Sequence, residues 1–452
     1  MNDFLRRHWK LLSGGLVGVA MAAILVPGIV RSYGPWADAG NSGQLTAQEL
    51  VRKDANTRSA EAIAGLERRT QQQPTDLKSR LELASAYLQR ARETGDPALY
   101  SLADRVLAEA LKIDPTSADV IASQGTVALA RHDFALALKL GQQALASDDE
   151  RSRFYGVVAD AQIELGDYAG ALESLQQMVS RKPDFAAFSR IAYARELYGD
   201  TEGAIEAMQS AIEAGSSVPE NLAWAHAQIG NAYLALNNQR SAAGAYEASL
   251  RVYPNYAGAL SGQAHIAAAN GDFAKAATLY QQAFERIPLA EYAIALGDVY
   301  QQMGDAQKAT RQYDLVQAID KLQSSNGVNT DMELALFLAD HGIDPAGSLD
   351  RARKAFTARP SIHAADVLAW ALYQQGKTSE ALGYSKQALR LGTRDPLKFF
   401  HAGMIARANG DPKAGELYLE QAVRLNPNFS LLYAKQAATA LADVRAQVVA
   451  AR

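Results

Sequence analysis

Residues 152–184 read SRFYGVVADAQIELGDYAGALESLQQMVSRKPD. Apolar residues recur at helical spacing on both sides of Gly166-Asp167, and Pro183 closes the stretch. Gly166 can adopt the left-handed conformation that ends a helix, and Asp167 can accept backbone N–H bonds at the start of the next one. Ala171 is small enough to let the two helices approach closely. The stretch therefore predicts a helical hairpin.

This hairpin recurs along the chain. Helix-breaking pairs begin at Gly95, His132, Gly166, Gly199, Asn237, Gly271, Gly304, Gly376 and Gly410, mostly in steps of 33 or 34 residues. A small residue usually follows five positions later, and prolines such as Pro183 and Pro254 end many units. A fixed period in this range is typical of a solenoid, so we predict an all-α fold.

The repeat resembles the tetratricopeptide repeat family, whose pattern is W-x2-L-G-x2-Y, then A-x3-F, then P. The best matches are Ile229-Gly230-Asn231-Ala232-Tyr233 and Leu296-Gly297-Asp298-Val299-Tyr300. The resemblance implies a right-handed superhelical solenoid of helix-turn-helix repeats. We assign residues 45–429 to about ten repeats, and residues 430–452 to a C-terminal capping helix.

The N-terminal residues predict a membrane anchor. Residues 11–30 contain no charge, and a helix of about 20 such residues spans a bilayer core. Arg6, Arg7 and Lys10 precede this run, which predicts that residues 1–10 are cytoplasmic and the repeats lie outside. Residues 31–44 then form a linker. The alternative is a signal peptide cleaved near Ala37-Asp38-Ala39, which would release a secreted protein.

Within the predicted anchor, Gly14, Gly18 and Ala22 form a small-residue stripe at which two such helices could associate. The other interpretation is that apolar anchors are rich in Gly and Ala in any case. The sequence leaves self-association open.

Composition argues against several function classes. The net charge is −4 and basic blocks are absent, so we predict no nucleic-acid partner. The chain has no cysteine, which removes thiolate chemistry and disulfides. Gly376-Lys377-Thr378 resembles the end of a phosphate-binding loop, but Ala371 stands where that loop needs glycine. The seven histidines show no metal-ligand spacing. We predict no catalytic residue, metal or cofactor.

The family resemblance implies that positions 2, 5, 9 and 12 of each unit face a concave groove. Candidate partner-binding residues at these positions are Tyr193, Trp224, Asn231, His265, Asp298, Trp370, Tyr373, Phe400 and Met404. The last four could form one aromatic patch that anchors a peptide or helix. Alternatively, Trp370 and Phe400 pack between repeats as core residues.

These patterns favour a membrane-anchored, non-catalytic scaffold that binds protein or peptide partners in its groove. Two alternatives stay open. One is an envelope assembly or maturation adaptor, similar to the anchored repeat proteins of cytochrome c biogenesis or polysaccharide export. The other is an accessory subunit of an envelope enzyme. The sequence does not name the partner.

Overall fold

A computed structural model describes residues 55–450, with side chains described for residues 59–448. This part of the chain forms 22 helices and contains no strand, which confirms the all-α prediction. The predicted cytoplasmic residues 1–10, the predicted membrane segment 11–30, the linker 31–44 and the first residues of the predicted solenoid lie outside the described residues.

Most of the helices form hairpins of two helices joined by a short turn. In chain order the helices are α1 Ala55–Gln72, α2 Leu77–Thr94, α3 Ala98–Ile113, α4 Ala118–Ala130, α5 Phe134–Ser147, α6 Ser152–Glu164, α7 Tyr168–Arg181, α8 Phe185–Leu197, α9 Thr201–Ala214, α10 Pro219–Ala235, α11 Gln239–Val252, α12 Ala257–Ala269, α13 Phe273–Arg286, α14 Ala290–Gln302, α15 Ala306–Ser325, α16 Asp331–Asp340, α17 Pro345–Ala358, α18 Ile362–Gln374, α19 Thr378–Ala388, α20 Pro396–Ala408, α21 Pro412–Leu425 and α22 Ala434–Ala450. The pairs run from α2/α3 to α20/α21. Helix α1 precedes them and α22 follows.

The turn chemistry expected from the sequence is present in the α6/α7 hairpin. Gly166 has a left-handed φ of 77°, and the Asp167 side chain accepts a hydrogen bond from the Gly170 N–H at 3.0 Å. Ala171 is only 2% exposed because the two helices meet there. His132 and Asn237 take the place of glycine in two other turns and also have positive φ, a conformation that Asn and His tolerate better than most residues.

The unit around residue 340 departs from the regular pattern. Helix α16 has only 10 residues, and the turn after it contains two positive-φ residues, Gly342 and Asp344. The longest helix, α15, has 20 residues and absorbs the extra residues that follow Gly304. Units of unequal length therefore keep the same hairpin topology.

Distant hairpins meet along a line of contacts that we call the seam. Across it, His132 Nδ1 lies 2.7 Å from the Asn329 carbonyl oxygen, 197 residues away, and the Ile362 N–H donates to Tyr168 Oη at 2.8 Å across 194 residues. Three further contacts join Leu197 to Thr393, Glu202 to Arg394 and Leu234 to Asn426, at separations of 192 to 196 residues.

The near-constant separation identifies the seam as the contact between successive superhelical turns. Dividing it by the 33- or 34-residue repeat gives about six repeats per turn. In the first superhelical turn, the short connections between the two helices of a hairpin form this contact. They meet the loops that join one hairpin to the next in the second superhelical turn. The concave surfaces of the two turns therefore face a common interior. The handedness of the superhelix stays a prediction.

Helix α22 covers the end of the array. Its apolar stripe of Ala437, Leu441, Val444 and Val448 is buried, whereas Arg445 is half-exposed and pairs with acidic side chains of α21. Burying one apolar stripe and leaving the opposite face polar is what a terminal cap of a solenoid requires.

Candidate functional site

Four of the predicted groove residues are brought together in the interior. Trp224, Asn231 and His265 line one cavity, and Tyr193, Asn231 and His265 line a second one beside it. These residues lie on the first helices of three successive hairpins: α8, α10 and α12. The structure therefore places these four residues on the cavity walls, and their role in binding a partner stays a prediction.

The larger space, which we call the main cavity, has a volume of about 630 Å³. The hairpins from α10 to α14 form most of its wall, and the turn between α2 and α3 closes one side. The side chains that matter most for its chemistry are Arg92, Glu220, Trp224, Tyr256, His265 and Glu291.

Two carboxylates give the main cavity its electrostatic character. Glu220 is 8% exposed and accepts a hydrogen bond from Gln89 Nε2 at 3.3 Å, while Arg92 Nε lies 3.9 Å from it. Burial nevertheless raises the pKa of Glu220. The surrounding protein also raises the pKa of Glu291 by desolvation, and the neighbouring Tyr292 offsets part of this rise, although the Glu291 side chain is exposed.

Tyrosine side chains line the main cavity together with these carboxylates. Burial raises the pKa of the Tyr256 hydroxyl, and both Glu220 and Glu291 raise it further. Both carboxylates therefore lie near enough to influence the Tyr256 hydroxyl, Glu220 from α10 and Glu291 from α14. Tyr246 Oη donates to Asn231 Oδ1 at 2.7 Å, which orients the Asn231 amide.

The second cavity, about 270 Å³ in volume, contains a buried polar network. Lys398, 3% exposed, places Nζ 2.6 Å from Asp395 Oδ2 and 3.1 Å from His363 Nδ1. His363 Nε2 lies 3.3 Å from Tyr193 Oη. Because the Lys398 ammonium only donates, the neutral His363 ring accepts at Nδ1 and carries its proton on Nε2, facing Tyr193.

Burial and the positive charge of Lys398 lower the pKa of His363 to about 4. Burial alone would lower the pKa of Lys398, but Asp395 and Asp366 outweigh it and raise that pKa. Arg359 adds a further charge that disfavours protonation of His363. The network is therefore a fixed ammonium–imidazole–phenol chain that joins α20, α18 and α8.

The Asp298 carboxylate contacts other side chains of the fold. Its Oδ1 accepts from Tyr313 Oη at 2.9 Å and lies 2.8 Å from His341 Nε2. Burial lowers the pKa of His341, but the contact with Asp298 outweighs burial and raises it. Asp298 thus links α14, α15 and the turn after α16, and its binding role stays a prediction.

The predicted aromatic patch needs correction. Trp370 is 1% exposed and Phe400 is fully buried, and Trp370 Nε1 donates to Asp340 Oδ1 at 2.8 Å. Both rings pack with Tyr433 in one core cluster, against which half-buried Tyr373 and Met404 rest. Trp370 and Phe400 are core residues because the short α16 and the cap α22 close over them.

Sequence reasoning missed Glu220, Tyr256 and Glu291. Glu291 stands at position 2 of the unit that begins at residue 290, so the pattern that selected its neighbours also points to it. Glu220 escaped because α10 begins at Pro219, before the expected start of its unit. Tyr256 lies in the loop before α12, where a position pattern for helices does not apply.

Between residues 55 and 450 we find no group of three or more His, Asp or Glu side chains placed to hold a metal ion. No helix in that range combines the length and the apolar composition needed to cross a bilayer.

Repeated helix pairs of similar length, stacked around a shared interior, define a helical-repeat solenoid. Two tetratricopeptide repeat profiles match this chain, one over residues 228–291 and 367–428 and the other over residues 128–193. The matched segments lie within the hairpin array and support the resemblance to this family. No curated protein matches the chain.

Solved structures similar to this chain include the following three proteins. A human IFIT1 dimer with PPP-AAAA is 14% identical, with 77% of this chain and 86% of that chain covered and a TM-score of 0.42. A thermophilic TPR protein of Thermus thermophilus is 22% identical, with coverage of 40% and 99% and a TM-score of 0.36. PilW, a type IV pilus biogenesis factor, is 18% identical, with coverage of 44% and 92% and a TM-score of 0.38.

Proposed function

We propose that this protein is a non-catalytic scaffold that binds a protein or peptide partner in its interior. The observation that carries the proposal is the convergence of Tyr193, Trp224, Asn231 and His265 from three successive first helices on two adjoining cavities. The hydrogen bond between Tyr246 and Asn231 and the His363 network hold part of this surface in place before a partner arrives. A pre-ordered surface binds at a smaller entropic cost.

Membrane attachment is the second part of the proposal. Residues 11–30 would anchor the chain with residues 1–10 inside and the repeats outside, a topology supported by the charge bias of the N-terminus. Protease added to spheroplasts should then digest the repeats, and carbonate-washed membranes should retain the protein. A soluble product with a mature N-terminus near Gly40 would support the secreted alternative instead.

Site-specific photo-crosslinking tests the binding surface. A photoreactive residue at Gln228, which lines the main cavity, should yield a discrete adduct in native membranes. The same residue at Glu247, exposed on the second helix of that hairpin, is the control. Adducts of equal yield at both positions would contradict a specific interior site.

The identity of the adduct separates the scaffold from its alternatives. A partner that belongs to an envelope assembly pathway would indicate an adaptor, and an envelope enzyme would indicate an accessory subunit. Turnover of a substrate by the purified repeats would overturn the non-catalytic assignment.

A further inference from the structure

The charges that line the main cavity do not balance. Glu220 and Glu291 line it, and among the described lining residues Arg92 is the only arginine or lysine. Arg92 lies beside Glu220, and among the described residues no positively charged group acts on the Glu291 carboxylate. Glu93 adds a third carboxylate behind Glu220 and is 7% exposed.

The aromatic side chains around these carboxylates suit a cation. Trp224, Tyr256 and Tyr292 line the same cavity, and the faces of such rings attract ammonium and guanidinium groups. Glu291 lines the cavity and its side chain is exposed, so a cation that enters the cavity can reach this carboxylate and pair with it. A neutral ligand would leave the charge of Glu291 uncompensated.

The shape of the interior indicates an extended ligand. Asn231, Leu234 and His265 line both the main cavity and the second cavity, so the two spaces adjoin along α10 and α12. The main cavity alone has the size of a typical ligand site. A chain that places one side chain there can continue toward the second cavity.

We propose that the main cavity binds a basic side chain, arginine or lysine, carried by an extended segment of the protein partner. Glu291 pairs with the cation, and Trp224 and Tyr256 pack against its stem. This proposal rests on the proposed scaffold function and specifies the chemistry of the partner. Arginine suits the site better than lysine, because its planar group can stack on an aromatic ring while it pairs with a carboxylate.

Fluorescence anisotropy with labelled peptides tests the proposal. The probes are a short peptide of alternating glycine and arginine, its counterpart with glutamine in place of arginine, and spermidine as an unlabelled competitor. The arginine peptide should bind at least about tenfold more tightly than the glutamine peptide. Glu291→Gln keeps the side-chain shape and should remove most of that preference. Glu247→Gln, on the exposed face of α11, should leave it unchanged.

The contrary outcomes are distinct. Equal affinity for both peptides, with no effect of Glu291→Gln, overturns the cation site and leaves the scaffold function standing. Binding of spermidine without binding of either peptide would show that the cavity takes a free polyamine, and would overturn the proposal that the cation belongs to a peptide. Failure of every probe overturns this proposal, while the crosslinking at Gln228 tests the scaffold function separately. Circular dichroism of each variant shows that a lost preference is not lost folding.

Discussion

Gly166→Ala and Gly304→Ala are matched substitutions that isolate the energetic contribution of the seam. Both glycines have φ of 77°, and both precede an aspartate that caps the next helix. A Cβ at Gly166 would lie 2.6 Å from the Pro360 carbonyl oxygen of the second superhelical turn, whereas a Cβ at Gly304 would meet nothing within 4 Å. Only the first substitution therefore disturbs the seam.

The two costs follow from the local geometry. A left-handed alanine costs roughly 1–2 kcal/mol at either position, partly offset by the stiffer unfolded chain. At Gly166 the contact with backbone adds an overpacking cost of about 1–3 kcal/mol. We therefore expect Gly304→Ala to cost about 1 kcal/mol and Gly166→Ala about 2–4 kcal/mol.

Urea unfolding followed by circular dichroism compares the variants, and small-angle scattering measures their radius of gyration. Repeat arrays can unfold in more than one step, so both the midpoints and the slopes are needed. A Gly166→Ala protein of normal helicity and larger radius would show that the seam opens before the hairpins melt. If both variants lose the same stability and keep the same radius of gyration, the two superhelical turns are not in contact in solution.

Three further substitutions test the core and the buried network. Ala171→Leu should overpack the α6/α7 hairpin and cost roughly 1–3 kcal/mol, whereas Ala169→Leu, at an exposed site on α7, should be nearly neutral in the same urea assay. Trp370→Ala should lower stability by about 3–5 kcal/mol, and a variant with unchanged melting would return Trp370 to the surface. His363, with a folded pKa of about 4 and an unfolded pKa near 6.5, stays neutral in the fold. Protonation of His363 therefore favours the unfolded state. The free energy of unfolding is unaffected by this group above pH 6.5, and on the order of 3 kcal/mol of it is lost as pH falls from about 6.5 toward about 4. His363→Gln should flatten that part of the stability–pH curve, and an unchanged slope would place the titration elsewhere.

The hairpins were predictable because their determinants are local. Gly166, Asp167 and Ala171 carry the turn, the cap and the close contact within six residues, and the same signals recur in most units. Hydrophobic periodicity and turn chemistry depend only on near neighbours. For that reason, a single unit already indicated the fold of the described chain.

The seam was not predictable from the same signals. Tyr168 and Ile362 are 194 residues apart, and their contact depends on small rotations between units accumulated over about six repeats. The site shows the same limit. The position pattern placed Trp224 and His265 on the interior, but it could not show that α22 covers Trp370.

The constant spacing of the seam restricts how this array can change in length. In a solenoid whose units contact only their neighbours, a unit can be gained or lost anywhere. Here, loss of one hairpin between α9 and α17 would bring Tyr168 opposite the loop one unit beyond Ile362, and every other pair along the seam would shift with it. Loss of a hairpin ahead of α4 would leave the pairs from His132 onward in phase. A change in repeat number near the ends of the array should therefore preserve the seam, whereas a change in its middle should misalign the seam contacts and destabilise the fold.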